Sequence, residues 1–405
     1  MNNNDKTRCS SSCKDCKQST KELPLISSGF LILTERCNLA CRYCFVKQNP
    51  KEMSYQTALD AVHFLIKNAE ASGEEPSINF FGGEPLIKWD EIIVPLTNYI
   101  RQEYKKPFSL GMTTNGVLLD DKKLAFMKEN NIGILFSIDG AKATQDFNRP
   151  FHNGRGSFDK LEKTIEKVLA FDPNATFRAT IDHRTVQHTY ENMRFAISKG
   201  YTNMFFVPNV FAEWSQEQKE QLKEEVKKFG NWYIEEARKG NFIDFSPFVE
   251  KIYEINKINM AHENNEHRLI NNFPGEGKCG LGATRFASIG TDGTLYGCQE
   301  MTSNSDKDQT FVIGDIYNGT DDQKRLALAN KFNKKAVEGT NCESCLLNSI
   351  CDGGCVANNY MVTGDVNKMP EMLCYWYQIL LDEAIHVSRV LGEERNEAFK
   401  NKFFN

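Results

Sequence analysis

The 405-residue chain contains no apolar run near the length of a membrane span. Its first residues, MNNNDKTRCSSSC, lack the apolar segment of a secretion signal. Both absences point to a cytoplasmic protein with no membrane partner. Nor is there a surplus of basic charge. Lys and Arg number 49 against 54 Asp and Glu, a formal net charge of −5, so nothing marks the chain as a nucleic-acid binder. Charged stretches such as DKLEKTIEK mix both signs and read as solvated helix faces. No internal repeat of 20–50 residues is evident. At 40 % hydrophobic and 25 % charged, the composition is that of a globular protein, long enough for two or three units.

Cysteine is what the sequence has in plenty. Thirteen cysteines in a cytosolic chain point to metal or redox chemistry, because disulfides rarely persist in that compartment. CSSSCKDC (Cys9, Cys13, Cys16) and CNLACRYC (Cys37, Cys41, Cys44) share a Cys-x3-Cys-x2-Cys spacing. Three thiolates so spaced can wrap one iron–sulfur cluster and leave one iron without a protein ligand. Context separates the two loops. The first lies in a polar stretch without periodicity. The second follows the β-type run GFLILTERC and precedes MSYQTALDAVHFLIKNAEAS, an amphipathic helix pattern with Ser54 as N-cap. That places it at the C-terminal end of a strand, where α/β folds bind ligands. On spacing alone a zinc knuckle remains open, although zinc normally takes four protein ligands.

CNLACRYC after a strand resembles the cluster loop of the radical S-adenosylmethionine (radical SAM) enzymes. The resemblance implies a 4Fe–4S cluster on Cys37, Cys41 and Cys44, with SAM chelating the open iron and Tyr43 packing near the adenine. Later motifs follow in the family's order. FFGGEP carries Gly82, Gly83 and Glu84, similar to the motif that binds the SAM amino group. TTNG places Thr114 and Asn115 at the ribose. FSIDG places Ser137 and Asp139 at a fourth strand end, and Arg149 or Arg178 would hold the SAM carboxylate as a fork. A structural salt bridge is the alternative for each arginine. Helix patterns near 54–71, 90–104, 120–131, 157–171 and 188–199 alternate with strand patterns, the last being NMFFVPN. This predicts a parallel sheet, and the family form is a partial (β/α)6 TIM-like barrel.

From Cys279 onward the composition changes. Cys279 and Cys298 flank two strand patterns joined at Asp292-Gly293, a hairpin signal, and Cys342, Cys345, Cys351, Cys355 and Cys374 follow. The string resembles the SPASM extension of peptide-modifying radical SAM enzymes, which carries two auxiliary 4Fe–4S clusters, three in all with the barrel cluster. The resemblance assigns Cys342, Cys345, Cys351 and Cys374 to the outer auxiliary cluster and Cys279, Cys298 and Cys355 to the inner one. Two such clusters need eight thiolates, and the region has seven. LINNFPGEGKC holds no additional cysteine before Cys279, so the inner cluster is expected to keep an open iron for a substrate thiolate. A fourth ligand from elsewhere in the chain, or water, is the alternative. The sulfatase-maturing members place an acid directly after the cysteine matching Cys298. Here Gln299 stands there and Glu300 follows, leaving Glu300 as the candidate base or a rim glutamate.

The expected function is a peptide maturase that installs thioether cross-links in a cysteine-containing precursor peptide through a 5′-deoxyadenosyl radical. The expected partners are that peptide and a one-electron donor such as flavodoxin or ferredoxin; leader binding falls to a separate protein, to residues 236–278, or is unnecessary. Rival readings are carbon–carbon cross-linking, epimerisation, sulfatase-type oxidation, or a non-catalytic metal-binding protein. The expected units are a tail (1–24), the barrel (25–235), a helical linker (236–278), the auxiliary-cluster domain (279–376) and a C-terminal helix and tail (377–405).

Overall fold

The computed structural model describes residues 23–263, 284–304, 308–332, 342–345, 351 and 353–404. Cys9, Cys13, Cys16 and Cys279 lie outside the described residues. Six strands form the barrel half: β1 (Ser28–Thr34), β2 (Ser77–Gly82), β3 (Ser109–Thr114), β4 (Ile132–Ser137), β5 (Thr176–Ile181) and β6 (Asn203–Pro208). Each is parallel to the next, in chain order. Inward residues alternate with outward ones along β3, β4 and β5, as a period of two requires.

The intervening helices are α1 (Tyr55–Ser72), α2 (Val94–Glu103), α3 (Asp121–Glu129), α4 (Lys142–Asn148), α5 (Phe158–Phe171) and α6 (Thr189–Ser198). The Ser54 side chain caps α1 by accepting from the Thr57 N–H, and Ala58, Ala61, Val62 and Leu65 bury one face. Two features depart from the expected pattern. Helix α4 adds a short element between β4 and α5, and a single π-type turn, Trp89–Ile93, precedes α2.

The chain continues through α7 (Gln216–Arg238), β7 (Asp244–Phe245) and α8 (Ser246–Glu263). Next come β8 (Phe286–Ile289), β9 (Thr294–Tyr296), β10 (Val312–Asp315), β11 (Gly319–Thr320) and α9 (Asp322–Lys331). The described chain ends in α10 (Val356–Thr363), α11 (Glu371–Glu393) and α12 (Glu397–Phe403). The expected hairpin is β8–β9, with Gly293 at φ 90° in the turn, a conformation that favours glycine. Strand β8 also pairs in parallel with β1, from Ser28 opposite Phe286 to Leu31 opposite Ile289. The C-terminal strands therefore extend the barrel sheet, in the order β11-β10-β9-β8-β1-β2-β3-β4-β5-β6-β7. Helix α11 packs on α7 and α8 and buries Trp376 completely. One continuous apolar core runs through both halves. No described helix is long and apolar enough to cross a membrane.

Candidate metal centre

The CNLACRYC loop leaves β1 at its C-terminal end and lies against the segment after α4. Ala40 N–H donates to Pro150 O at 2.8 Å, Arg42 N–H donates to Asn148 O at 2.9 Å, and Leu39 bridges Phe151. Leu39 is fully buried and pins the loop. The Cys37 sulfur accepts from the Leu39 N–H at 3.4 Å and from Asn115 Nδ2 at 3.7 Å, an environment suited to a thiolate. Burial pushes the Cys37 thiol up to about 11 and the Cys41 thiol up to about 12. Both would stay protonated at neutral pH unless a cation took the proton's place. Among the described residues, no three His, Cys, Asp or Glu side chains close on a point tightly enough for a single metal ion.

The glycines of FFGGEP have a reason within the chain. A Cβ on Gly82 would sit 2.2 Å from Thr34 O, and one on Gly83 would sit 2.2 Å from Arg36 O. The close approach they permit is to the backbone leading into the cysteine loop, where Gly83 N–H donates to Thr34 O and Glu84 N–H to Arg36 O. Glu84 is buried. Its carboxylate accepts from Thr114 Oγ1 at 2.7 Å, Leu86 N–H at 3.1 Å and Asn115 N–H at 2.9 Å. Burial still lifts its pKa to about 7 against those bonds. Glu84, Thr114 and Asn115 therefore form one knot, and Asn115 joins it to Cys37.

A second knot centres on Asp139, which is buried. Asp139 accepts from Tyr43 Oη at 2.6 Å, Asn148 Nδ2 at 3.0 Å, Arg149 Nε at 3.0 Å and the Thr180 N–H at 3.0 Å. The Arg149 guanidinium also lies 5.4 Å from the Tyr43 ring centre. Burial works against the Arg149 charge, but Asp139 keeps its pKa above the ordinary value. Of the two fork candidates, Arg149 has a carboxylate partner inside the chain. Arg178 pairs with no carboxylate among the described residues. It donates to Ala179 O, lies over Phe205 and sits opposite Ser137 across the β4–β5 ladder. Asp139 as the organiser of Tyr43 and Arg149 was not foreseen; its signals were its place in SIDG at a strand end and the NRP that follows α4.

Glu300 lies in the 3-10 turn after β9, Gln299–Asn304. Its Oε2 is buried without a hydrogen-bond partner among the described residues, and burial raises its pKa, with Arg178 near enough to oppose the shift. Cys298 and Cys355 pack against the main core. Cys351 and Cys374 instead share a small nest with Val210, Met369 and Leu373. Cys342 and Cys345 share one turn, closed by Cys345 N–H donating to Cys342 O.

Residues 31–206 match the model of the Radical SAM superfamily. These residues, just under half of the chain, carry a radical SAM domain. The chain is similar to the cysteine-type anaerobic sulfatase-maturating enzyme of Clostridium perfringens (strain 13 / Type A), 24 % identical over 79 % of this chain and 85 % of that one. The structure of native anSMEcpe with bound AdoMet and Cp18Cys peptide superposes with a TM-score of 0.69 at 18 % identity, over 90 % of this chain and 99 % of that one. Streptococcus suis SuiB bound to precursor peptide SuiA gives a TM-score of 0.55 at 16 % identity, over 87 % and 76 %. At these identities the structural likeness is one of fold. A radical SAM domain implies a 4Fe–4S cluster and SAM, and the CNLACRYC loop has the sulfur donors for that cluster.

Proposed function

We propose that this radical SAM enzyme forms thioether cross-links in a ribosomally made, cysteine-containing peptide. The observation that carries the reading is the count of seven cysteines from Cys279 to Cys374, one short of two fully ligated clusters. Cys37, Cys41 and Cys44 would hold the barrel cluster. Glu84, carried by the Gly82-Gly83 turn, would accept the SAM ammonium, Arg178 its carboxylate, and Thr114, Asn115 and Ser137 would border the nucleoside beside Tyr43. When bound and reduced by one electron, the cluster and SAM supply a 5′-deoxyadenosyl radical able to remove a hydrogen atom from carbon. The protein's part is to hold the loop rigid through Leu39 and the Asp139 knot, and to keep water from the strand ends.

Cys342, Cys345, Cys351 and Cys374 would close the outer auxiliary cluster. Cys279, Cys298 and Cys355 would hold the inner one, leaving a position suited to a soft thiolate from the peptide. Gln299 after Cys298 speaks against a sulfatase-type oxidation, which the names of the relatives would otherwise favour. Glu300 is the acid on hand for a proton there. The test is spectroscopic. Adding a cysteine-containing substrate peptide to reconstituted enzyme should perturb one auxiliary cluster, and its Cys→Ser form should not. An inner cluster that stays fully protein-ligated with peptide bound would refute the reading. Modification of a thiol-free peptide would favour the oxidative alternative.

A further inference from the structure

The cysteine loop returns to the strand it leaves. Residues 48–53 lie back along the end of β1, where Glu35 N–H donates to Lys51 O at 3.0 Å, Met53 N–H donates to Leu33 O at 2.9 Å, and Thr34 bridges Glu52. Gln48 Nε2 donates to Leu39 O at 2.8 Å, and Asn49 Nδ2 donates to the buried Glu35 carboxylate at 2.7 Å. The turn that carries Glu84 sits on the same base. Glu84 caps a 3-10 turn, Pro85–Lys88, and the last residue of that turn sends its amino group across to Glu52. Lys88 Nζ also donates to Glu91 at 2.7 Å, and Glu52 accepts from Arg36 Nη1 at 3.0 Å. The Lys88 side chain is only 6 % exposed. Lysine is seldom so buried, and an apolar chain of similar length would fill the space without desolvating a charge. The π-type turn Trp89–Ile93 follows directly, and single turns of this kind concentrate at functional sites. Lys88 thus spans from the Glu84 turn to the closing end of the cysteine loop.

We propose that Lys88, acting through Glu52, is a positioning residue that sets the spacing between the Glu84 carboxylate and the sulfurs of Cys37, Cys41 and Cys44. The inference rests on the assignment of Glu84 to the SAM ammonium and not on the thioether reading. A ligand held at two points, an ammonium acceptor and a cluster, binds well only when the two keep one separation. Backbone bonds fix the near end of the Glu84 turn, from Gly83 N–H to Thr34 O and from Glu84 N–H to Arg36 O. Lys88 fixes the far end, so the turn cannot pivot about those bonds. Glu52 suits the task because it faces Thr34 across the bridge, at the point where the loop closes. The Lys88 bond holds the Glu52 carboxyl below its ordinary pKa, so both charges persist at neutral pH.

The test measures SAM affinity by equilibrium dialysis on anaerobically isolated, iron-loaded enzyme, beside iron content and melting temperature. Lys88→Met keeps the stem and strands no buried charge, because Glu52 retains Arg36 and Glu91 is exposed. It should weaken SAM binding about tenfold at unchanged iron content. Lys88→Arg, which keeps the ion pair, should restore most of that loss. Glu52→Gln should weaken binding as Lys88→Met does, and the double variant no more than either, because the two side chains act as one unit. If Lys88→Met folds poorly, Glu52→Gln, at a partly exposed position, carries the test alone. Glu84→Gln separates the two ways of failing. If it weakens SAM binding while Lys88→Met and Glu52→Gln change only the melting temperature, Lys88 is structural and the inference is overturned. If Glu84→Gln itself binds SAM unchanged, the Glu84 assignment falls and the inference with it. Additive losses in the double variant would also overturn it.

Discussion

The barrel's cysteine loop and the C-terminal cysteine region are built on different physics. The loop is held by the chain itself: a buried Leu39, a backbone bridge to 148–151, and two saturated carboxylates, Glu84 and Asp139, at the strand ends. In the C-terminal region Cys298 follows the three-residue β9, Cys342 and Cys345 share one turn, and Cys351 shares with Cys374, at the start of α11, a nest of only three buried apolar side chains. Where protein interactions fix the ligands, a metal is a guest. Where they do not, its binding energy becomes part of folding. The barrel loop is the first kind; the nest of Cys351 and Cys374 is the nearest to the second.

The largest expected effects break the two halves separately. Replacing Cys37, Cys41 and Cys44 together with Ala should abolish SAM cleavage, leave the fold intact, and retain about eight irons if both auxiliary clusters are present. Replacing Cys351 and Cys374 should instead expose the C-terminal region to limited proteolysis while the barrel stays resistant. Equal protease sensitivity of both variants would dissolve the comparison. Next in size is Asp139→Ala. It strands the buried Arg149 and frees Tyr43, and should cost roughly 3–5 kcal/mol in denaturant unfolding. A loss below about 1 kcal/mol would mean the knot does not hold the loop.

Glu383 sharpens the contrast on the helical side. On α11 its carboxyl is buried against Gly230, Oε1 has no hydrogen-bond partner among the described residues, and burial pushes its pKa up to about 7. A raised folded-state pKa means the folded protein binds the proton more tightly. Stability is then greatest below the unfolded pKa and declines as pH rises through the folded one. The unaltered protein should lose up to roughly 3 kcal/mol from this group between about pH 4.5 and 7. Glu383→Gln should remove that slope, read as melting temperature against pH. The smallest effect belongs to Glu84→Gln. With a neutral acceptor at the proposed ammonium site, SAM should bind about ten- to a hundredfold more weakly, a loss of roughly 1.5–3 kcal/mol. Iron content should be little changed. An unchanged SAM affinity would remove Glu84 from the site.

What was legible in the sequence was local. Strand β1 follows from a short apolar run, β2 to β6 from burial close to period two, and helices α1, α2, α3, α5 and α6 from period 3.6, with bounds within a few residues of those expected and Ser54 capping as read. Helix α4 escaped notice because it spans seven residues and has no side-chain N-cap. The pairing of β8 with β1 joins residues far apart in the chain, and no local pattern encodes it. The site divides the same way. The strand before CNLACRYC and the helix after it named the loop, but the Asp139 knot gathers Tyr43, the Asn148–Arg149 pair and Thr180 from three segments. The two glycines of FFGGEP were expected to admit a ligand, and the backbone they admit is the chain's own.

The central claim is that a peptide cysteine becomes a thioether, and tandem mass spectrometry of a cysteine-rich peptide co-expressed with the enzyme tests it most directly. The product should lack two hydrogens per cross-link, the cross-linked cysteines should resist alkylation, and Cys279→Ala, Cys298→Ala or Cys355→Ala enzyme should return the peptide unmodified. A peptide of unchanged mass with every thiol open to alkylation, or one modified equally after its cysteines are replaced, would contradict the account.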